Sequence, residues 1–151
     1  MLNSDKAEEM YRRVLSVERK HSFALYNLAV LLEERTYNAQ REGVIPKEGW
    51  NEEVLSLYTS AVATAPKDSL SRADLGRFLL VQVKDWEAAV IELDTALSLD
   101  PHSTVALYHM GLVCADKQKN ISQAQQYWNL LLEVEPSHVN ARRRLARIAA
   151  S

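Results

Sequence analysis

The apolar residues of this chain recur three and four positions apart, which is the spacing of one face of an α-helix. Two early examples are the sets Ala7, Met10, Tyr11, Val14, Leu15 and Leu25, Leu28, Ala29, Leu32. No segment alternates apolar and polar residues between turn-forming clusters, as a half-buried strand would. Turn formers are also sparse, with 4 glycines and 4 prolines in 151 residues. The pattern therefore predicts an all-α protein.

The helical pattern itself repeats, with a step of 35 residues that is marked by Pro66, Pro101 and Pro136. The same step separates the members of further sets of equivalent positions, which we call repeat columns because they align when the repeats are stacked. They are Val54, Ala89, Ala124; Tyr58, Leu93, Trp128; Leu75, Met110, Leu145; and Gly76, Gly111, Ala146. Upstream the step is 47 residues, as from Ala7 to Val54 and from Tyr11 to Tyr58. A single insertion of 12 residues accounts for the change. Repetition at this period predicts stacked helical hairpins.

These columns resemble the tetratricopeptide (TPR) pattern. In that family the first helix of each hairpin carries a Leu-Gly-like pair, and the second carries a small residue, an aromatic and another small residue before a proline. Leu75-Gly76 and Met110-Gly111 match the pair. The aromatic position of the second helix is kept by Tyr58 and Trp128, whereas Leu93 occupies it in the middle repeat. The resemblance covers nearly the whole chain. It implies a TPR-like α-solenoid of stacked antiparallel helix hairpins that forms a right-handed superhelix.

The columns divide one predicted domain, 1–151, into successive segments. They are 5–18, the second helix of a partial repeat; 22–65, a repeat with an insertion at about 35–50; 69–100 and 104–135, complete repeats; and 138–150, a capping or partial-repeat helix. A chain that begins on a second helix is expected to be a piece of a longer array. Within the insertion we expect the first helix to continue to about Glu42, Gly43 to end it, and Asn51 to cap the next helix.

The step of 35 residues is one longer than the usual TPR repeat of about 34 residues. We place the extra residue in the turn between the paired helices, because Gly76 and Trp86 are one residue further apart than the family's spacing. Pentatricopeptide repeats, which read RNA, also have this period. Those arrays are usually basic, whereas this chain has a net charge of −2 and an isoelectric point near 6.1. Nucleic acid is therefore not an expected partner.

The composition is that of a folded domain, with 47% hydrophobic and 25% charged residues. No apolar run approaches the ~18 residues of a membrane span, and the first residues lack the apolar core of a secretory signal. Cys114 is the single cysteine and aligns with Leu79 at a core position, which predicts a buried, unreactive thiol. We expect a cytoplasmic protein with no membrane insertion.

Residues that could carry catalysis are scattered along the chain. The histidines, His21, His102, His109 and His138, have no metal-binding spacing. The glycines do not cluster as a phosphate loop would require, and no Gly-x-Ser-x-Gly motif is present. The sequence therefore predicts no enzyme, no cofactor and no metal site.

The TPR resemblance also indicates where a partner would bind, because the first helices of such arrays line a concave groove. The resemblance places these residues in it: Tyr26, Asn27, Val30, Asp74, Arg77, Tyr108, His109, Leu112, Arg143, Arg144 and Arg147. This set is apolar and aromatic at its start and basic at its end, which favours a peptide or helix with an apolar anchor and an acidic stretch. The alternatives are that the tyrosines only pack between helices and that the arginines only solubilise a capping helix.

Some TPR domains hold the carboxylate tail of heat-shock chaperones with a set of lysines and asparagines. In one register of this chain the corresponding positions hold Tyr26, Val30, Asp74, Val105 and His109. In the next register only Arg144 matches, so we expect no such binding. The function predicted is a non-catalytic scaffold or adaptor. The alternatives are a targeting or regulatory domain of a larger enzyme and a structural array that self-associates through its end helices.

Overall fold

The computed structural model describes residues 2–151, with Leu2 described by its backbone alone. Within that range the chain forms helices and no strands, so the all-α prediction is confirmed. The α-helices are α1 (Leu2–Val17), α2 (Ser22–Arg41), α3 (Trp50–Thr64), α4 (Ser69–Phe78), α5 (Trp86–Leu99), α6 (Thr104–Leu112), α7 (Ile121–Val134) and α8 (Val139–Ala149). They belong to two compact units, Met1–Lys67 and Asp68–Ser151.

In Met1–Lys67, α2 and α3 pair as a hairpin and α1 packs beside α2. The hairpin core comes from the columns identified in the sequence: Ala24, Leu25, Leu28, Ala29, Val54, Tyr58, Ala61 and Val62 are buried. The buried Tyr58 hydroxyl donates a hydrogen bond to Glu33 Oε2 at 2.8 Å, which satisfies a polar group that burial would otherwise destabilise. On the surface, Glu8 of α1 pairs with Arg12 of the same helix and with Arg35 of α2, and the second pair connects the two helices.

The inserted segment continues α2 as far as Arg41, close to the expected end of that helix. Gly43 and Gly49 then adopt φ values of 76° and 78°, a left-handed conformation that glycine tolerates best. Gly49 is the N-cap of α3, and the helix begins at Trp50. The prediction that Asn51 caps this helix is therefore wrong, because the left-handed turn at Gly49 starts the helix early and places Asn51 inside its first turn.

Asp68–Ser151 contains the hairpins α4–α5 and α6–α7, followed by α8. Its core shows why the first helices carry glycine. A Cβ atom on Gly76 would lie 2.6 Å from Leu93 Cγ, and one on Gly111 would lie 2.5 Å from Trp128 Cε2. The indole of Trp128 fills this gap completely and donates its Nε1 hydrogen to the Tyr108 carbonyl at 3.1 Å. In these two hairpins the absence of a Cβ on glycine therefore leaves the space that the facing bulky side chain fills.

The extra residue of each 35-residue repeat lies in a wide π-helical turn. These turns, π1 (Leu79–Val83) and π2 (Val113–Lys117), directly continue α4 and α6. In both, a backbone N–H bonds the carbonyl five residues earlier, as from Gln118 to Val113 at 3.0 Å. The extra residue therefore lies between Gly76 and Trp86 as predicted, but it widens the last turn of the helix and does not lengthen the connecting turn.

Candidate partner-binding surface

In Asp68–Ser151 the sequence-predicted residues lie on the first helices α4 and α6 and on α8. We refer to them as the first-helix surface, and they are Asp74, Arg77, Tyr108, His109, Leu112, Arg143, Arg144 and Arg147. The arginines Arg143 and Arg147 are exposed, whereas the others are partly buried. The set therefore combines side chains held by packing with two that are open to solvent.

Tyr108, His109 and His138 form an aromatic group on this surface. The ring centroids of Tyr108 and His109 are 5.2 Å apart, as are those of Tyr108 and His138. His109 Nδ1 lies 2.7 Å from the Val105 carbonyl. A carbonyl can only accept, so this nitrogen carries the proton and Nε2 is left as an acceptor. Packing against Tyr108 also holds His109 in one orientation, which favours specific recognition over loose contact.

His109 is neutral at physiological pH. Burial lowers its pKa to about 4, and the positive charge of Arg77 acts in the same direction. The hydrogen bond to the Val105 carbonyl and the negative charge of Asp74 oppose the shift but are weaker. This position therefore contributes a neutral ring to the surface and no positive charge.

Two of the predicted charged residues are paired inside α4. Arg77 Nε lies 3.1 Å from Asp74 Oδ1, one helical turn away, and both side chains are largely shielded from solvent. A neighbouring pair joins α4 to α5, where Arg72 Nη1 lies 2.7 Å from Glu92 Oε2. The carboxylates offset the charge of these arginines, so this end of the surface has little net charge.

Arg144 belongs to the packing between α8 and the α6–α7 hairpin. Its guanidinium carbon lies 5.9 Å from the centroid of the Trp128 ring, within the range of a cation–π contact. Its Nη1 lies 3.4 Å from Asp116 Oδ1. A shallow pocket of about 180 Å³ beside it is bordered by Arg147, Ile121 and other side chains. Asp116 is not among the predicted surface residues, although it follows Leu112 by one helical turn.

Arg143 and Arg147 differ from the other arginines of the surface. Both are exposed, and neither forms an ion pair with any residue in the range 2–151. By the repeat step, Arg143 takes the position of Tyr108 and Arg147 takes that of Leu112. Tyr108 and Leu112 pack on the core around Trp128. The surface therefore carries an anchored apolar pair and, one repeat later, two uncompensated positive charges.

The predicted residues of Met1–Lys67 lie on α2 and are tied to their own unit. Tyr26 packs edge-on against Tyr58 with ring centroids 6.1 Å apart. Asn27 Nδ2 donates to the Phe23 carbonyl at 2.7 Å, the same i to i−4 bond that His109 makes at the equivalent repeat position. Val30 is partly buried. The structure thus gives these residues packing contacts within the hairpin.

Metal-binding groups, the single thiol and long apolar helices were each sought in the described part of the chain. No group of three or more His, Cys, Asp or Glu side chains among residues 2–151 is arranged to hold a metal ion. Cys114 is 2% exposed, as predicted, and burial raises the pKa of its thiol, which disfavours the reactive thiolate. No helix in the described range combines the length and apolar character needed to cross a bilayer.

No known protein-family profile matches the chain. A curated relative, a protein adenylyltransferase Fic from Drosophila willistoni, is 34% identical over 84 residues, which is 56% of this chain and 17% of that protein. The chain therefore spans less than a fifth of the length of this relative.

Solved structures show the same fold. A tetratricopeptide repeat protein from Parabacteroides merdae superimposes with a TM-score of 0.70 and 25% identity, over 95% of this chain and 51% of the other. The first TPR domain of Spaghetti (RPAP3), solved with the HSP90 peptide SRMEEVD, gives a TM-score of 0.61 and 20% identity over 83% and 98% of the two chains. The chain therefore has the tetratricopeptide-repeat fold, built from the hairpins that the repeat columns predict.

Proposed function

We propose that this chain is a non-catalytic protein-interaction module that binds an acidic peptide or helix on the first-helix surface of Asp68–Ser151. The observation that carries the proposal is the pair of exposed arginines, Arg143 and Arg147, which have no ion-pair partner among residues 2–151. They follow, by one repeat, the anchored apolar pair of Tyr108 and Leu112. The fold supports it too, since a solved neighbour with this fold holds a peptide.

Preorganisation is the physical basis of the proposed binding. Tyr108 and Leu112 are held by the core around Trp128, so little side-chain entropy is lost when a ligand contacts them. The charges of Arg143 and Arg147 attract an acidic segment and orient it, which chiefly affects the association rate and the specificity. In Met1–Lys67, we propose Tyr26, Asn27 and Val30 as a separate contact on α2.

The proposal is tested with peptides selected by display against the purified chain and then synthesised. We expect them to carry acidic residues beside an apolar anchor. In fluorescence anisotropy, the double variant Arg143→Glu, Arg147→Glu should bind them about ten-fold or more weakly, because two attractions become repulsions. The matched control is Arg19→Glu, Lys20→Glu, which changes the net charge equally at exposed positions of the α1–α2 turn. Equal affinity in the two double variants would refute the proposal.

Binding of a chaperone tail is not part of this proposal, although the neighbour from Spaghetti is bound to the peptide SRMEEVD. Two of the positions that would clamp such a tail hold His109, which is neutral, and Asp74, which is negative and paired with Arg77. We predict no saturable anisotropy change when labelled SRMEEVD is titrated with the chain. A saturable change that Arg144→Ala abolishes would show that a clamp exists despite these residues.

A second candidate function rests on the likeness to part of an adenylyltransferase. In that case the chain would be a helical-repeat region that targets or regulates a larger enzyme, and its own residues would still act by binding. Incubation of the chain with labelled ATP and candidate protein substrates tests whether the chain itself catalyses transfer or only binds. We expect no transfer of AMP, and transfer at a rate proportional to the chain's concentration would contradict a non-catalytic role.

A further inference from the structure

The first helices α2 and α8 each begin at a histidine. The N-cap of α2 is His21, whose Nδ1 accepts a hydrogen bond from the Ala24 backbone N–H at 3.2 Å. The N-cap of α8 is His138, whose Nδ1 accepts from the Ala141 backbone N–H at 3.1 Å. Each imidazole therefore bonds the third residue of its helix and satisfies a backbone donor that the helix itself leaves unpaired.

The first helices α4 and α6 are capped from the same repeat position by oxygen atoms. The repeat steps of 47 and 35 residues connect His21, Asp68, Ser103 and His138. The Asp68 carboxylate accepts from the Ser71 N–H, and the Ser103 hydroxyl accepts from the Ala106 N–H, again at the third residue of each helix. The cap is thus conventional in α4 and α6 and depends on a titratable ring in α2 and α8.

The two hydrogen bonds determine the protonation state of both rings. A backbone N–H can only donate, so Nδ1 of His21 and of His138 carries no proton and the ring proton lies on Nε2. His109 makes the opposite bond, because its Nδ1 faces the Val105 carbonyl and carries the proton. The caps of α2 and α8 therefore exist only while their imidazoles are neutral.

Protonation would remove both caps. Both nitrogens of an imidazolium are donors, so Nδ1 could no longer accept from the helix. The added positive charge would also lie at the positive end of the helix dipole. Histidine is the side chain that ordinarily changes charge between about pH 5 and pH 8. A serine hydroxyl, such as that of Ser103, remains an acceptor throughout this range.

The groups of α6 that face His138 do not prevent this change. The ring centroid of Tyr108 is 5.2 Å from that of His138, and His109 lies on the other side of Tyr108. Burial lowers the pKa of His109 to about 4, so above that pH it adds no opposing charge. The Tyr108 ring could still contact a charged imidazole, but it supplies no acceptor to the Ala141 N–H.

Charged residues of both signs lie close in sequence to the two histidines. Near His138 they are Glu133, Glu135 and Arg142, and near His21 they are Glu18, Arg19 and Lys20. From α1, Tyr11 packs edge-on against Phe23, which in turn packs edge-on against the His21 ring. Neither histidine forms an ion pair with any residue in the range 2–151, so no such pair enforces or opposes a change in its charge.

We propose that His21 and His138 are pH-sensitive N-caps, so that protonation between about pH 7.5 and pH 5.5 loosens the first turns of α2 and α8 and leaves those of α4 and α6 unchanged. The change is confined to the first turn, because Ala24 and Ala141 are 1% and 0% exposed and hold the helices to their units by packing. In α8 this turn adjoins Tyr108, so the switch lies beside the first-helix surface.

The direct measurement is nuclear magnetic resonance of the isotope-labelled 151-residue chain at about pH 7.5 and pH 5.5. At the higher pH we expect a scalar coupling across the hydrogen bond from the Ala141 amide nitrogen to Nδ1 of His138, and likewise from Ala24 to His21. Both couplings should disappear in acid. Protection of these amides against exchange, corrected for the intrinsic rate, should fall about three-fold or more. The amides of Ser71 and Ala106 should keep their protection.

Variants of His138 separate the cap from the charge. His138→Ser should keep the Ala141 amide protected at both pH values, because Ser103 caps α6 from the equivalent position. His138→Ala should lose that protection at both, so the unmodified chain should resemble it only in acid. The matched control His102→Ala removes an exposed histidine beside the Ser103 cap and should behave as the unmodified chain does. Absence of the coupling at neutral pH, or equal pH dependence in His138→Ser and the unmodified chain, would overturn the proposal.

Discussion

At the scale of single residues, the fold depends on contacts in which one side chain fills the space that another leaves. Gly111 and Trp128 show this most clearly, because the indole occupies the volume of the missing Cβ and bonds the adjacent backbone carbonyl. In the neighbouring hairpin Leu93 fills the space beside Gly76 with an aliphatic side chain that is smaller than an indole. The two glycines therefore differ in how much substitution they tolerate.

We predict that Gly111→Ala lowers the free energy of unfolding. Overpacking costs about 1–3 kcal/mol, and three Trp128 ring atoms within 2.7 Å of the added Cβ place this site toward the upper end, above the roughly 1 kcal/mol that alanine gains over glycine in a helix. Gly76→Ala is the control and should cost less, because an added Cβ there would lie further from Leu93 than one on Gly111 would from the Trp128 ring. Urea denaturation followed by circular dichroism measures both. A larger loss at Gly76 than at Gly111 would contradict the packing argument.

His109 gives a prediction about pH. Its pKa is about 4 in the folded chain and about 6.5 when unfolded, so between these values the unfolded state binds more protons. Stability is therefore fully present above pH 6.5 and is lost as the pH falls toward 4, by up to about 3 kcal/mol. The control variant is His109→Asn, since asparagine makes the same backbone bond at the equivalent position Asn27.

The measurement compares the unfolding free energy of the two proteins from pH 7 to pH 4. The difference between them should shrink steadily toward acid, because only the unmodified chain contains this histidine. A difference that stays constant over this range would mean that His109 titrates alike in the folded and unfolded chain.

At the scale of elements, the repeat columns predicted which helices form and which faces they bury. This worked because the columns record packing: Leu93 and Trp128 are buried where the pattern requires a bulky residue. The helix ends were harder to predict. The cap at Gly49 depends on a left-handed backbone turn, and the widened turns π1 and π2 leave no sequence signal beyond a length difference of one residue.

The π turns lead to a prediction about deletions. Removing Gln82 from π1 should convert the wide turn to an ordinary α turn and leave a chain that still folds, since the extra residue is accommodated there. Removing Thr95 from α5 should abolish cooperative unfolding, because it rotates every later residue of that helix by about 100° out of the core. Thermal unfolding by circular dichroism distinguishes them, and equal damage from both deletions would contradict this account.

At the scale of the whole molecule, the net charge of the chain does not show how its charged residues are distributed. The chain has a net charge of −2, yet α8 carries Arg142, Arg143, Arg144 and Arg147 and no acidic residue. The cluster is visible in the sequence, but the sequence does not show which of its arginines are held by contacts with other residues. The division depends on Trp128 and Asp116, which hold Arg144 and come near it only in the folded hairpin. Arg142, Arg143 and Arg147 are exposed and form no ion pair among residues 2–151, and of these three Arg143 and Arg147 belong to the first-helix surface.

The proposed binding should therefore depend on salt. Raising the ionic strength from about 0.05 to 0.5 M shortens the Debye length and should weaken binding of a selected acidic peptide. In the Arg143→Glu, Arg147→Glu variant the residual binding should instead be insensitive to salt or strengthen, because the ligand then meets negative charge. Anisotropy titrations at each salt concentration measure this, and identical salt dependence in both proteins would argue that the arginines take no part.

Methyl NMR of the peptide-bound chain tests most directly whether the first helices present the binding surface. Leu112 and Val105 lie on α6, whereas Ile91 on α5 and Val134 on α7 are exposed apolar residues of the second helices. On titration with a selected peptide, we predict saturating shift changes for the methyl groups of Leu112 and Val105, with those of Ile91 and Val134 unchanged. Changes confined to Ile91 and Val134 would contradict the account, because the ligand would then be bound by the second helices.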